Sequence, residues 1–308
     1  MLGVYREGYI QPISFSVTQY EENPVFLDSI YEIGGKKIAY LIYNFFALDR
    51  GDGSYAYLKE LNDIFGRFKE VNPDELVLDL RYNTGGVVTA AVSLSSMISG
   101  RNSSDLFSIS KYNSIVDKEF KKIYGDDYNK TFFDDFLIIR NEEDKIIDQS
   151  IPINKLSGLK RLYVLTSQST ASASELVING LRPYMNVVLV GKTTRGKNTG
   201  MWFIYEDDPV KQKDNRWGLL PIVVKTYNSK NEGDFTNGIK ADMEVNEYSA
   251  DLFQLGDTRE LLLGAALIDI GVRNASGLRR AEERFSDKPL ISTGDLMQAR
   301  GNLIVERF

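Results

Sequence analysis

Short apolar runs bounded by turn residues alternate along the chain with stretches whose apolar positions recur every three to four residues. Residues 37–46 (KIAYLIYNFF) and 75–80 (ELVLDL) read as buried strands, and Gly34-Gly35 marks a turn before the first. Between them Leu58, Leu61, Ile64, Phe65 and Phe68 share one helical face, with Ser54 expected as the cap. After the second strand come RYNTGG and a helix of small and apolar residues over 87–98. Residues 162–166 and 187–190 predict two more buried strands. The helix between them buries Ala173, Leu176, Val177, Gly180 and Leu181, and Pro183 stops it. Strand, turn, helix, strand is the βαβ pattern, so an α/β fold with a parallel sheet and right-handed crossovers is expected.

The remaining stretches are less regular. Residues 9–13 and 14–17 are strand-like pieces that bury little alone, as an edge strand would. Residues 100–158 are polar, aromatic-bearing and locally charged. They read as an insertion over the sheet, serving as a lid or substrate platform, or simply as a solvated excursion. Residues 201–205 and 217–227 predict two strands joined by a charged loop, and 238–245 is extended. A helix over 258–270 presents Leu261, Leu262, Ala265, Leu267 and Ile268, with Asp257 as its cap. The charged segment 272–308 reads as a peripheral tail.

Composition narrows the chemistry chiefly by what is missing. There is no cysteine, which excludes disulfides, thiol nucleophiles and thiolate metal sites. Nor is there a histidine, which excludes a Ser-His-Asp triad and the commonest general base. Any hydrolytic base must be Lys, Asp, Glu or Tyr. A net charge of −6 with both signs interleaved argues against nucleic acid as partner. No apolar run reaches the roughly eighteen residues of a membrane span. The first residues lack a basic region followed by an apolar core, so no secretory leader is expected within this chain.

Three segments close predicted parallel strands: 83–86, 170–175 and 191–197. Sites in open α/β sheets gather outside the carboxyl ends of strands. Together the three can supply a nucleophile (Ser172), a base (Lys197) and oxyanion donors (the N–H groups of Ala173 and of Gly85 or Gly86). A lysine base must be neutral, which requires desolvation. Helix caps and solvated charges account for the same residue types equally well. Residues 191–198 also approach the phosphate-binding G-x-x-x-x-G-K-[ST] loop. Asn198 stands where a magnesium-binding hydroxyl is needed, and a strand follows where a helix should, so that match is read as accidental.

The chain resembles the carboxyl-terminal processing (tail-specific) proteases, the S41 family of serine peptidases. The resemblance rests on LVLDLRYNTGG (76–86), STASASE (169–175), VVLVGKTTRGK (187–197), GIKADMEV (238–245) and LGDTRELLLGAAL (255–267), in the expected order over roughly 30–271. It implies a crotonase-like α/β core, a Ser172–Lys197 dyad and an oxyanion hole of Ala173 with Gly85 or Gly86. No metal, nucleotide or other cofactor is implied. The family commonly places Gln four residues after the lysine and Asp eleven after the serine; here stand Met201 and Pro183. Arg195 occupies a position where an aromatic is common. What orients Lys197 is therefore open, with Glu175 or a backbone carbonyl as candidates. Glu175 serves equally well as a complement to the helix N-terminus, Ser174 as a structural residue and Asp79–Arg81 as a structural pair.

The resemblance also implies a PDZ-like domain ahead of the core. Residues 1–29 are too few for one, and are expected to be its last strand. The expected organisation is thus 1–29, a peptidase core at 30–271 with its insertion at 100–158, and the tail at 272–308. The implied function is endopeptidase action on C-terminal or unfolded segments of exported proteins in the bacterial cell envelope, periplasmic or lipid-anchored. Oligomeric state is left open. Two rivals stand beside it: a peptide-binding scaffold that kept the fold without efficient turnover, and a crotonase-type enzyme acting on thioesters.

Overall fold

A computed structural model gives the fold and describes residues 2–6, 9–13, 21–141, 145–202, 204–206, 211, 215, 217–247 and 252–274. β1 (Leu2–Arg6) and β2 (Tyr9–Ile13) form a separate antiparallel hairpin. The strand expected at 14–17 and the tail beyond 274 lie outside the described residues. β3 (Val25–Ile33) pairs antiparallel with β4 (Lys36–Tyr43) across the Gly34-Gly35 turn. Sequence patterning does not reveal β3, because it is a half-exposed edge strand carrying Asp28, Ser29 and Glu32. Then come α1 (Ala56–Val71), β5 (Glu75–Asp79) and α2 (Val88–Ser99). The excursion at 100–158 holds β6 (Leu106–Tyr112), α3 (Ser114–Tyr124), β7 (Lys130–Phe132), β8 (Ile139–Arg140) and β9 (Ile146–Asp148). β10 (Arg161–Thr166), α4 (Ala173–Leu181) and β11 (Asn186–Gly191) make the central strand–helix–strand unit. The chain continues through β12 (Thr199–Met201), β13 (Ile204–Tyr205), β14 (Gly218–Leu219), β15 (Ile222–Asn228), β16 (Met243–Glu244) and α5 (Leu261–Asp269).

The central sheet runs β16-β11-β10-β5-β4-β3 and is parallel except at the β3–β4 edge. Apolar side chains pair across neighbouring strands: Leu162 lies opposite Leu76 of β5 on one side and Val187 of β11 on the other. On one face Leu41, Leu76, Leu78, Val164 and Leu189 meet the apolar sides of α1, α2 and α4. On the other, Ile38, Tyr40, Val77, Tyr163 and Val190 meet Leu262, Leu263, Ala266 and Leu267 of α5. Burial on both faces explains why these strands read as continuous apolar runs rather than alternating ones. Each such side chain contributes about 1.5–3 kcal/mol by leaving water.

The excursion is tied to this core. β6 and β7 join β15 and β12 in a four-stranded antiparallel sheet, ordered β12-β15-β6-β7. Phe107, Phe133, Leu137 and Leu156 belong to the same buried cluster as α2 and α4. Gly180 lets α4 press on Phe107, since a Cβ there would overlap the ring.

Two expected caps are corrected. The α1 cap position is Tyr55, and Ser54 Oγ accepts only the Ala56 N–H, at 3.3 Å. α5 begins three residues later than expected and is capped by Glu260, whose carboxylate accepts from Leu262 and Leu263 at 3.2 and 2.9 Å. Asp257 is held by Arg259 instead. Of the extended piece at 238–245 only Met243–Glu244 pairs as a strand, and the strand expected at 201–205 is split between β12 and β13.

Candidate active site

β5, β10 and β11 are neighbours in the parallel sheet, so their carboxyl ends deliver residues 81–87, 167–175 and 192–197 to one place. Hydrogen bonds then lace the three segments together. Thr170 Oγ1 donates to the Leu80 carbonyl at 2.8 Å, and Ala171 N–H to the Asn83 carbonyl at 3.1 Å. Arg195 N–H reaches the Thr170 carbonyl at 2.9 Å.

Ser172 sits at the N-cap of α4 with φ 58° and ψ −113°. A non-glycine residue is rare there, and the conformation costs on the order of 1–3 kcal/mol. The surroundings impose it. Below the turn lies Glu175, fully buried, whose carboxylate collects four donors. Oε2 accepts the N–H of Ser172 at 3.0 Å and of Lys197 at 2.8 Å. Oε1 accepts the Thr194 hydroxyl at 2.5 Å and the Gly196 N–H at 2.6 Å. Glu175 thus holds the backbone on either side of the cleft and complements the N-terminus of α4 at once. Ser172 and Lys197 are both half-buried, and their side chains make no hydrogen bond to each other.

Opposite Ser172 stands the glycine pair. Phe46 pins the loop by donating its N–H to the Gly85 carbonyl at 3.0 Å and accepting the Val87 N–H at 2.8 Å. Gly85 lies directly over the nucleophile turn: a Cβ there would come within 2.6 Å of Ser172 Cβ. Its N–H is already used, donated to Asn83 Oδ1 at 2.8 Å. The Gly86 N–H has no partner among the described residues. Ala173 is the first residue of α4, where N–H groups lack an intrahelical acceptor. Two backbone donors therefore remain near Ser172, from Ala173 and Gly86.

Ser174 is fully buried and donates its hydroxyl to the Asn83 carbonyl at 3.1 Å. Asp79 and Arg81 are paired, Nη2 to Oδ2 at 2.8 Å, within a larger buried cluster. The Arg81 guanidinium also meets both Glu260 oxygens, at 2.8 and 2.9 Å, and Glu247 at 3.3 Å. Tyr40 donates its hydroxyl to Asp79 at 2.8 Å. Burial pushes the Glu260 carboxyl up, but the Arg81 hydrogen bonds and charge pull it below its ordinary range overall. The Arg81 carbonyl accepts the Ser167 hydroxyl, so this cluster anchors the start of both loops.

Asn83, Thr194 and Glu260 were not singled out from sequence. Asn83 is fully buried and also donates to the Tyr43 carbonyl at 2.8 Å, fixing the glycine loop to β4. Its sequence signal is its place in LVLDLRYNTGG, separated by one residue from the glycine pair. Among the described residues no group of acidic side chains is placed to hold a metal, and no helix is long and apolar enough to cross a membrane.

The sequence profile of peptidase family S41 matches residues 37–245. The chain is 26% identical to the carboxy-terminal processing protease CtpA of Bacillus subtilis (strain 168) over 141 residues, 46% of this chain and 23% of that protein. It is 24% identical to the tail-specific protease of Haemophilus influenzae (strain ATCC 51907 / DSM 11121 / KW20 / Rd) over 208 residues, 66% of this chain and 24% of that protein. These matches span about a quarter of either relative's length. Among solved structures, one from Bacteroides fragilis NCTC 9343, assigned as an S41 protease, superposes with a TM-score of 0.66 at 30% identity. That match covers 86% of this chain and 61% of the other.

Proposed function

Because the chain belongs to peptidase family S41, we propose that it is a serine endopeptidase working through a Ser172–Lys197 dyad. The observation that carries this reading is the shared carboxylate of Glu175, which holds the serine turn and the lysine loop to one oxygen. Neutral Lys197 takes the Ser172 proton as Oγ attacks the peptide carbonyl. The oxyanion rests on the N–H groups of Ala173 and Gly86. Gly85 contributes the close approach over Ser172 rather than a donor. Collapse of the tetrahedral intermediate breaks the C–N bond, and Lys197 protonates the leaving amine. Lys197 then takes a proton from a water that attacks the acyl-enzyme carbonyl, and gives it to Ser172 Oγ as the ester C–O bond breaks and the acid product leaves.

The finer organisation follows the same reading. The core at 30–271 is crotonase-like, with 100–158 inserted and 272–308 as a tail. Of residues 1–29, the part ahead of β3 is read as the last strand of a PDZ-like domain, whereas residues 25–29 lie in β3 of the core sheet. Substrates are C-terminal or unfolded segments of exported proteins, met in the bacterial cell envelope. Glu175 orients Lys197 through its backbone, in the absence of the Gln and Asp that Met201 and Pro183 replace.

Hydrolysis of a dye-labelled unfolded protein tests this, beside Ser172→Ala and Lys197→Ala variants of matched melting temperature. Cleavage by the parent with both variants inactive is expected. A second reading, a peptide-binding protein without turnover, draws on the absent Ser172–Lys197 side-chain hydrogen bond. It predicts that the parent and both variants bind the unfolded protein equally and release no product.

A further inference from the structure

The excursion at 100–158 carries a cavity of about 430 Å³, whose lining includes Phe132, Asp134, Phe136, Ile138 and Gln149. It opens beside β7, an edge strand of the sheet β12-β15-β6-β7. β12, two residues beyond Lys197, is the opposite edge, so three strand spacings, about 14 Å, separate it from β7. No lining residue of the cavity belongs to the cleft around Ser172.

The wall of the cavity is held from both ends. Phe133 and Leu137 are buried in the core. Between them the Asp134 N–H donates to Ser96 Oγ at 2.9 Å, and the Asp135 carbonyl accepts the Ile153 N–H at 3.0 Å. The Leu137 N–H reaches the Ile151 carbonyl at 2.8 Å. The site is therefore formed in advance of any ligand.

Its two carboxylates differ in one respect. Asp135 has its counter-charge, with Lys155 Nζ at 2.6 Å and the Ser103 hydroxyl at 2.5 Å. Lys130, at the rim, is taken by Asp127 at 2.6 Å. Asp134 is half-buried, and among the described residues no ammonium or guanidinium stands within ion-pair distance of it. Burial raises its carboxyl to about 6, and Asp135 adds to the rise. The Ser93 hydroxyl, wholly buried and otherwise unpartnered, works against it, as do the charges of Lys155 and Arg140. At neutral pH the cavity thus holds a carboxylate short of a cation, under two phenyl rings that are each 39% exposed, Phe132 and Phe136.

We propose that this cavity is a binding site for the guanidinium of an arginine side chain on a partner polypeptide. The Asp134 carboxylate accepts two of its N–H groups, and a rim phenyl covers its planar face. The site uses no residue of the Ser172 cleft and stands independently of the peptidase reading.

The test titrates N-acetyl-arginine amide into the full chain at pH 7.5, with NMR following the backbone amides of 131–138 and of 172–175. Saturable shifts are expected in the first group and none in the second. N-acetyl-norleucine amide, which keeps an apolar stem without the cation, should not saturate, and N-acetyl-lysine amide should bind more weakly. Asp134→Asn should weaken arginine binding by more than about tenfold. That variant gains stability by losing an uncompensated carboxylate, so lost binding is not lost folding. Phe136→Ala should weaken binding about two- to fivefold. At pH 5 most of the Asp134 carboxyl is neutral, so affinity should fall about tenfold in the parent and stay level in the Asn variant. A Gly-Gly-Arg-Gly-Gly peptide should bind at least as well as the amide, and its rejection overturns the polypeptide partner. Equal affinity for the lysine probe overturns the guanidinium. No saturation, saturation by the norleucine probe, or unchanged affinity in the Asn variant overturns the site.

Discussion

Ser172 and Lys197, 25 positions apart in the chain, donate their backbone N–H groups to the same oxygen, Oε2 of Glu175, at 3.0 and 2.8 Å. The turn that carries one reactive side chain and the loop that carries the other are therefore spaced by a single buried carboxylate. Its other oxygen, held by Thr194 and Gly196, prevents the carboxylate from rotating.

Glu175→Gln tests that arrangement with almost no change of shape. An amide offers one acceptor oxygen, and its NH2 group faces donors it cannot satisfy. A loss of about 1–3 kcal/mol in unfolding free energy is expected, as for a buried donor left unpaired. Peptide hydrolysis should fall more than roughly tenfold in kcat, because the dyad is displaced rather than removed. Urea denaturation and steady-state kinetics on the same preparation check both.

Gly85→Ala puts a methyl 2.6 Å from Ser172 Cβ and 2.9 Å from the Ala171 carbonyl oxygen, at a φ of +107°. Backbone strain and overpacking together should cost about 1–3 kcal/mol. Because the neighbour that must yield carries the nucleophile, hydrolysis should drop about a hundredfold or more. A variant with near-parental rates would show that the turn has room to spare.

Arg81→Ala leaves Asp79 and Glu260 buried without their shared counter-charge. Removing one partner from a buried ionic cluster costs about 3–5 kcal/mol. α5 should loosen first, since Glu260 is both its cap and its anchor to the end of β5. Amide hydrogen exchange should show Leu262 and Leu263 losing protection ahead of the β10 strand.

Asp134 and Glu260 contribute to the pH dependence of stability in opposite directions. Burial pushes the Asp134 carboxyl from 3.8 up to about 6. A group raised on folding contributes stability that is full below its unfolded pKa and is lost as pH rises through 6. Asp134→Asn should abolish that decline and raise stability at neutral pH by on the order of 2 kcal/mol. Glu260, held low by Arg81, works the other way: its contribution is present above the ordinary glutamate range and disappears as the pH falls. Urea midpoints between pH 3 and pH 8 separate the two, because the Asn variant changes only the Asp134 limb.

Much of the architecture is legible in local pattern. Strands β5, β10 and β11 announce themselves because both faces are covered and their central positions are an unbroken apolar run. Helices α1 and α4 do so because one apolar face repeats at helical spacing. β3 escapes that logic, since an edge strand with one face half in water has no compulsory pattern. The α5 cap escapes it too. Asp257 has the better residue type for a cap, yet Glu260 takes the position because Arg81, 179 residues away, holds its carboxylate there.

The candidate site divides along the same line. Residue types and spacing pick out Ser172, Lys197, Ala173 and the glycine pair, because a small-residue turn between a buried strand and a helix is a local event. Which glycine has a free N–H depends on Asn83 turning its side chain onto Gly85 and on Phe46, three residues beyond the end of β4, bridging the loop. That Glu175 grips the lysine loop by its backbone depends on β10 and β11 lying side by side. Short-range pattern dictates elements because burial and helical or extended geometry act over a few residues. Hydrogen-bond satisfaction is settled across the whole fold, since each donor takes whichever acceptor the packed chain brings within reach.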